Sequence, residues 1–377
     1  MLVRARDSAL GVSAIAGVVL AVAVAGALLV DPILRLRPAP SSKALAIEQT
    51  VLRPNLIELH VRNTSGHRYT VSQVAVNAAF WAHSVDHRTM GKLDRATLRI
   101  PYPWEPGQSL AIGVFDPSGA EFPTVISSPT EVRTSNRSPA LVLGRVVGIV
   151  LGLGALVLVW PRLTARFLAD LLAGAAVGVV VYLLFDVARS GLHAARSAPP
   201  YVRGEELFVA AAVLAAVAAA WIVARQSSPA GHVALAGVVA LGAGLYNMGE
   251  TFRVTNTLLA GEAVVGASLI MGGALVTASQ TLPIVAPIAV LPRPSLHDVL
   301  ALGAVVAVPV IAGALLATAA APPARGLLLS GLATGALAVG LWRLARSLVR
   351  VDQISGAMAI ALVAGAAAAY VVGALAR

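Results

Sequence analysis

Apolar stretches about twenty residues long recur along this chain, and that recurrence restricts its fold more than any other feature. A hydrocarbon layer of ~30 Å is crossed by about twenty residues of helix rising ~1.5 Å each. The first such run is Ser8–Val30, and eight more fall at 139–160, 167–189, 205–224, 232–252, 259–282, 297–320, 325–342 and 355–375. In lipid each backbone polar group must be satisfied within its own segment, so these runs are read as helices. Composition agrees: 58% of the 377 residues are hydrophobic and 12% charged, where soluble domains carry roughly 25% charged residues. The expected class is a polytopic α-helical membrane protein.

The first run follows Arg4 and Arg6, the basic start shared by secretory signals and membrane anchors. It is long, and its end, Leu28-Leu29-Val30-Asp31-Pro32, lacks the small-residue pattern of a cleavage site. Residues 1–30 are therefore read as an uncleaved transmembrane anchor, with a cleaved signal as the other reading.

Residues 31–138 differ in texture, with Pro, Ser, Thr, Asn and charged residues breaking up short alternating stretches. In Leu56-Ile57-Glu58-Leu59-His60-Val61 the apolar side chains share one face and Glu58 and His60 the other, the two-residue period of a half-buried strand. Asn63-Thr64-Ser65-Gly66 and Asp116-Pro117-Ser118-Gly119 are turn sequences. Strands are expected near 44–52, 55–62, 68–77, 94–100, 108–115 and 120–126, forming an Ig-like β-sandwich. Asn63-Thr64-Ser65 also matches a glycosylation acceptor.

Basic residues set the expected topology. Arg4, Arg6, Arg162, Arg166, Arg225, Arg293, Arg343, Arg346 and Arg350 fall on one side and Arg196, Arg203, Arg253, Arg325 and Arg377 on the other, nine against five. The positive-inside bias then puts the N-terminus in the cytoplasm and the β-domain and C-terminus outside it, in a cell membrane. Usage rich in Ala, Val, Gly and Arg points to a high-GC bacterium.

Several classes of chemistry drop out. Cysteine is absent, which removes disulfides, thiolate metal sites and thiol catalysis. The net charge of +10 comes from basic residues placed singly at helix ends and over the β-domain, where anchoring and attraction to anionic lipid account for them; nucleic acid is not an expected partner. No base and nucleophile can be assembled at membrane depth, so an enzyme is not expected.

Ionisable groups in a bilayer cost several kcal/mol unless paired or hydrated. Glu205, Glu206, Asp298 and Asp352 lie at helix ends, where capping or solvation explains them; Asp170 and Glu262 are also interfacial by position. Asp186 and Glu250 stand deeper. In Gly244-Leu245-Tyr246-Asn247-Met248-Gly249-Glu250-Thr251, Tyr246 and Glu250 share a helical face with Asn247 beside them. Thr277, Ser279, Gln280 and Thr281 make a second polar patch, followed by Pro283 and Pro287. Interhelical hydrogen bonding and a substrate path are both open readings of these groups. Gly237, Gly242 and Gly244 suggest a close-packed helix face.

At these two segments the sequence resembles the ZIP family of divalent-metal transporters, in the prokaryotic form with an extra N-terminal helix and a small β-domain. The resemblance implies an eight-helix bundle over 139–377 whose fourth and fifth helices carry metal ligands in His-Asn-x-x-Glu-Gly motifs. Tyr246-Asn247-Met248-Gly249-Glu250-Thr251 resembles the first motif, with Tyr246 in place of His. Val276-Thr277-Ala278-Ser279-Gln280-Thr281 takes the place of the second, and Leu282-Pro283-Ile284-Val285-Ala286-Pro287 resembles the run that follows it. Asp186 stands where the second core helix often offers an acid.

The implied metal site is Asn247, Glu250, Thr277, Gln280 and Asp186, an oxygen set with no imidazole. Zinc prefers nitrogen and sulfur, so such a site would suit a weakly held, oxygen-preferring cation. In the β-domain, His83, Asp86 and His87 form a further candidate metal group, set against a loop with incidental histidines. The leading expectation is a divalent cation, zinc or another, as transported substrate. The alternative is a non-transporting relative whose bundle anchors a partner-binding or sensing β-domain. Expected partners are the bilayer, a metal cation and a protein partner of the β-domain, with a homodimer left open.

Overall fold

A computed structural model of the chain describes residues 21, 24–29, 45–105, 107–126, 138–159, 166–224, 230–260, 267–288, 296–317, 323–349 and 356–375. The expected anchor is helical at residues 24–29; the rest of it, apart from residue 21, and the arginines Arg4, Arg6, Arg162, Arg225, Arg293 and Arg350 lie outside the described residues.

Ten strands build the β-rich region: β1 (Leu45–Arg53), β2 (Leu56–Asn63), β3 (Tyr69–Thr70), β4 (Gln73–Val76), β5 (Ala79–Trp81), β6 (Ser84–Val85), β7 (Thr89–Met90), β8 (Arg95–Ile100), β9 (Leu110–Phe115) and β10 (Glu121–Ile126). They form two four-stranded sheets, β1-β2-β8-β6 and β10-β9-β4-β5, and a short β3-β7 pair. Ile57, Leu59, Leu98 and Ile100 from the first sheet and Val74, Val76, Ile112 and Val114 from the second are buried in one core. Alternation put those residues inward, as the sequence predicts. The expected strand at 68–77 is instead two strands. Tyr69-Thr70 pairs with β7, whereas 73–76 pairs with β9 and β5, so the chain changes sheets between them.

Both turn sequences join strands. In the second, the Asp116 carboxylate accepts hydrogen bonds from the backbone N–H of Ser118 and Ala120 at 2.8 and 2.9 Å and from the Ser118 hydroxyl at 2.6 Å. These bonds hold its acidity stronger than that of an ordinary aspartate. In the first, Asn63 is fully buried, and its amide N–H group lies 2.7–3.0 Å from the carbonyls of His67, Met90 and Gly91. The asparagine of the glycosylation motif is thus a structural brace.

Helices follow: α1 (Ser138–Val159), α2 (Arg166–Ser197), α3 (Gly204–Ala224), α4 (Ala230–Ala260), α5 (Ala267–Val285), α6 (Leu296–Leu316), α7 (Pro323–Val349) and α8 (Gly356–Leu375). Among the described residues seven of them, α2 to α8, are long and apolar enough to cross a membrane, so the chain is a multi-pass membrane protein. The 32-residue α2 runs beyond its expected end at 189, because no residue after Asp186 forbids helix before Pro199-Pro200.

The helices α1 and α5 pack closely along Gly144, Gly148 and Gly152, spaced four apart on one face of α1. A methyl group at Gly148 would overlap the Ala274 carbonyl, and one at Gly152 would meet the Ala278 carbonyl and Thr281. Small residues let two backbones approach, the usual basis of helix association in lipid. The helix α4 is central: residues 233–248 are all buried, as an apolar-all-round helix requires. Gly242 packs on Leu337 of α7 and Gly244 on Val305 and Pro309 of α6, the close-packed role expected of them.

Candidate functional site

The buried polar groups gather around one turn of α4. Asn247, fully buried, accepts a hydrogen bond through Oδ1 from Arg145 Nη1 of α1 at 3.1 Å and donates through Nδ2 to Gln280 Oε1 of α5 at 2.5 Å. Thr277, also fully buried, lies with its hydroxyl 2.9–3.0 Å from the carbonyl oxygens of Gly273, Ala274 and Arg145. That last contact ties α5 to α1 at the arginine itself.

Asn247 and Gln280 therefore meet as expected, with Thr277 close by, but they meet on a guanidinium. Arg145 is only 6% exposed. It sits about 10 Å inside α1, seven residues from its start. Reading the acids at membrane depth and passing over the bases missed it. Its signal was present: within Leu141-Val142-Leu143-Gly144-Arg145-Val146-Val147-Gly148 it is the one charge in an apolar run.

The two carboxylates take other partners. Asp186 of α2, 8% exposed, accepts a hydrogen bond from the Tyr246 hydroxyl at 3.0 Å. The phenol that replaces the expected histidine is thus a donor that holds α4 to α2. Glu250 pairs with Arg253 one turn along α4, with Nη2 to Oε2 at 2.9 Å. Of the two arginines, Arg253 is paired with Glu250, whereas Arg145 is bonded to the neutral amide of Asn247.

Among the described residues no three His, Asp or Glu side chains come together in a way that could hold a metal. The expected oxygen set is divided: Asn247, Gln280 and Thr277 around Arg145, Asp186 with Tyr246, Glu250 with Arg253. His83, Asp86 and His87 likewise do not assemble a site. They flank β6, and Asp86 accepts hydrogen bonds from the backbone N–H of His87 and Thr97 at 2.9 and 2.8 Å, which braces the loop.

A cavity of about 280 Å³ lies between α2, α4 and α7, with Tyr246, Glu250, Arg253, Ser190 and Ser330 in a mainly apolar wall. A wider open cleft of about 810 Å³ runs along α2 past Asp186, Arg189, His193 and Arg196.

A second polar cluster joins the β-rich region to the helices. The register of β1 shifts between Ile47 and Gln49, a bulge that aims Glu48 inward. Its carboxylate, 3% exposed, takes Arg62 Nε at 2.6 Å and Arg95 Nε at 2.8 Å, and the hydroxyl of Tyr201 from the α2–α3 connection. The Arg62 guanidinium also lies over the Tyr201 ring, 5.1 Å from its centre, and donates to the Leu93 carbonyl at 2.9 Å. Burial, reinforced by the Glu48 charge, raises the Tyr201 phenol well above its usual range, so it remains a neutral donor. Around this cluster Leu93 packs with Val202, Phe208, Ala324 and Leu327 from the helix ends. Sequence periodicity gave no hint of it, because a bulge breaks the alternation that reads Glu48 as surface.

No family model matches the chain and no curated protein matches it, so its function has to be read from the arrangement of these side chains.

Proposed function

We propose that this chain is a ZIP-like membrane protein that does not pass divalent metal: its intramembrane site carries a cation of its own, and the bundle serves to seat a β-domain that senses or binds a partner. One observation carries the reading. Arg145 donates to Asn247, the residue that the resemblance makes a metal ligand. Two unit charges 4 Å apart interact by about 4 kcal/mol at an effective dielectric near 20, so a dication beside the guanidinium meets about 8 kcal/mol of repulsion. Two neutral amides and a hydroxyl do not offset that.

In this reading α1 to α8 form the eight-helix core, residues 1–30 anchor the chain with the N-terminus in the cytoplasm, and an Ig-like β-domain stands outside. Glu48, Arg62 and Tyr201 fix how that domain is held. Reconstituted vesicles test it. Uptake of zinc, manganese, iron and cadmium is expected to equal that of protein-free vesicles, and saturable uptake that Glu250→Gln abolishes would overturn it.

The cavity against Tyr246 and Glu250 favours a second reading, a divalent-cation permease. Its entrance would be that cavity, and its path would run past Asp186, Glu250, Asn247, Gln280 and Thr277 once Arg145 swings aside. The same assay decides between the two.

A further inference from the structure

We infer that the lipid-facing side of α2, near its end at the β-domain, holds one anionic glycerophospholipid by its phosphate. The inference is independent of whether the bundle passes metal. Phe185, Arg189, His193 and Arg196 line one open cleft of about 810 Å³ along α2. At 3.6 residues per turn they fall within about 80° of the helix circumference. Spaced three or four residues apart, successive members are neighbours, with ~5–6 Å between their Cβ atoms. The three basic side chains thus face one space from consecutive turns.

The order of side chains along this face matches a phospholipid laid against it. Val181 and Phe185 are 40% and 64% exposed, an apolar track for an acyl chain. Arg189 follows one turn after Phe185. It is exposed, and among the described residues its guanidinium makes no hydrogen bond or ion pair. It also closes the apolar run 167–189, the depth at which hydrocarbon gives way to a headgroup layer about 5–7 Å thick on each side. A guanidinium there without a protein counter-charge finds one in a lipid phosphate, whose oxygens its fork of donors fits. His193 offers its ring one turn further out, again without a partner among the described residues. Arg196 engages Glu205 through Nε alone, at 3.2 Å in an exposed pair, which leaves both of its Nη groups for the ligand. The acid of the cleft, Asp186, is buried and accepts from Tyr246 of α4, one turn below the level of the phosphate. A soluble anion would use the basic groups and leave the apolar track bare.

Thermal unfolding of the full chain in detergent micelles, supplemented with phosphatidylglycerol, phosphatidylcholine or glycerol 1-phosphate, tests this, with native mass spectrometry counting the lipid retained. Phosphatidylglycerol is expected to raise Tm by a few degrees with saturation, as a ligand of the folded state does, and to remain as one bound molecule. Phosphatidylcholine, whose headgroup carries its own cation, and glycerol 1-phosphate, which lacks acyl chains, are expected to shift Tm much less. Arg189→Gln should remove most of the phosphatidylglycerol shift and the retained lipid, and His193→Gln should reduce both. Arg346→Gln, an exposed arginine in the last turn of α7, should change neither. Equal shifts from phosphatidylglycerol and phosphatidylcholine would overturn the inference, as would a shift of the same size from glycerol 1-phosphate. So would a loss in Arg346→Gln equal to that in Arg189→Gln, which would reduce the site to general surface charge.

Discussion

Arg145 reaches from α1 to Asn247 on α4 and bonds its side-chain oxygen at 3.1 Å, joining the first helix after the β-domain to the most buried helix of the bundle. The contact places a fixed positive charge among groups that would otherwise suit a cation. It also makes Asn247 the group on which the arginine's burial depends.

Asn247→Leu is accordingly expected to destabilise the protein by about 2–5 kcal/mol, because it leaves a buried charge and the Gln280 oxygen without their partner. Chemical unfolding in mixed micelles measures this. In a double-mutant cycle with Arg145→Met, the two changes should couple by about 1–3 kcal/mol. Simple additivity would mean that the bond contributes nothing.

The close approach of α1 to α5 makes a separate claim. Gly148→Val should cost about 3 kcal/mol or more, since its side chain would have to displace the Ala274 carbonyl rather than a flexible group. Gly154→Val meets nothing within 4 Å and should leave Tm nearly unchanged. Comparable losses in both would refute the packing described for α1.

Arg62→Met should loosen the β-domain from the bundle, because Glu48 then remains buried with less compensation; the expected cost is about 3–5 kcal/mol. Tyr201→Phe removes one donor and should cost about 1–2 kcal/mol. Limited proteolysis between β10 and α1 reads both, with faster release of the domain for Arg62→Met than for Tyr201→Phe.

His60 supplies a pH dependence. Partial burial lowers its pKa from the usual 6.5, against the opposing pull of Glu58. Between the lowered value and about 6.5 the unfolded chain binds more protons than the folded one, so stability rises with pH across that window and falls as the medium is acidified through it. Replacing His60 by Gln should flatten the slope of Tm against pH in that interval; an unchanged slope would assign it elsewhere.

The membrane class and the β-core could be read from sequence because both follow from periodicity. Ile57, Leu59 and Val61 alternate, and the apolar runs match a bilayer's thickness. The split of 68–77 and the short β5, β6 and β7 could not, since two- or three-residue strands such as Thr89-Met90 are defined by their partners and not by their own pattern. In the site, helical spacing marks the polar groups of α4 and α5 separately, and the structure brings Asn247 against Gln280. What one sequence does not carry is which neighbour enters between two helices. Arg145 comes from a third, and only the α1–α5 packing at Gly144 and Gly148 decides that its side chain passes over Gly273 to reach Asn247. The same holds for Glu48, whose direction depends on a one-residue slip in β1.

That slip has a mechanical consequence. With Glu48 holding Tyr201 in the α2–α3 connection and Leu93 buried in one cluster with Ala195, the end of α2 is fastened to the floor of the β-domain. The helix continues unbroken from there to Asp186, eleven residues back from its end. A pull or twist applied to the β-domain is therefore passed to the end of α2 and along that helix toward Asp186 and its bond from Tyr246.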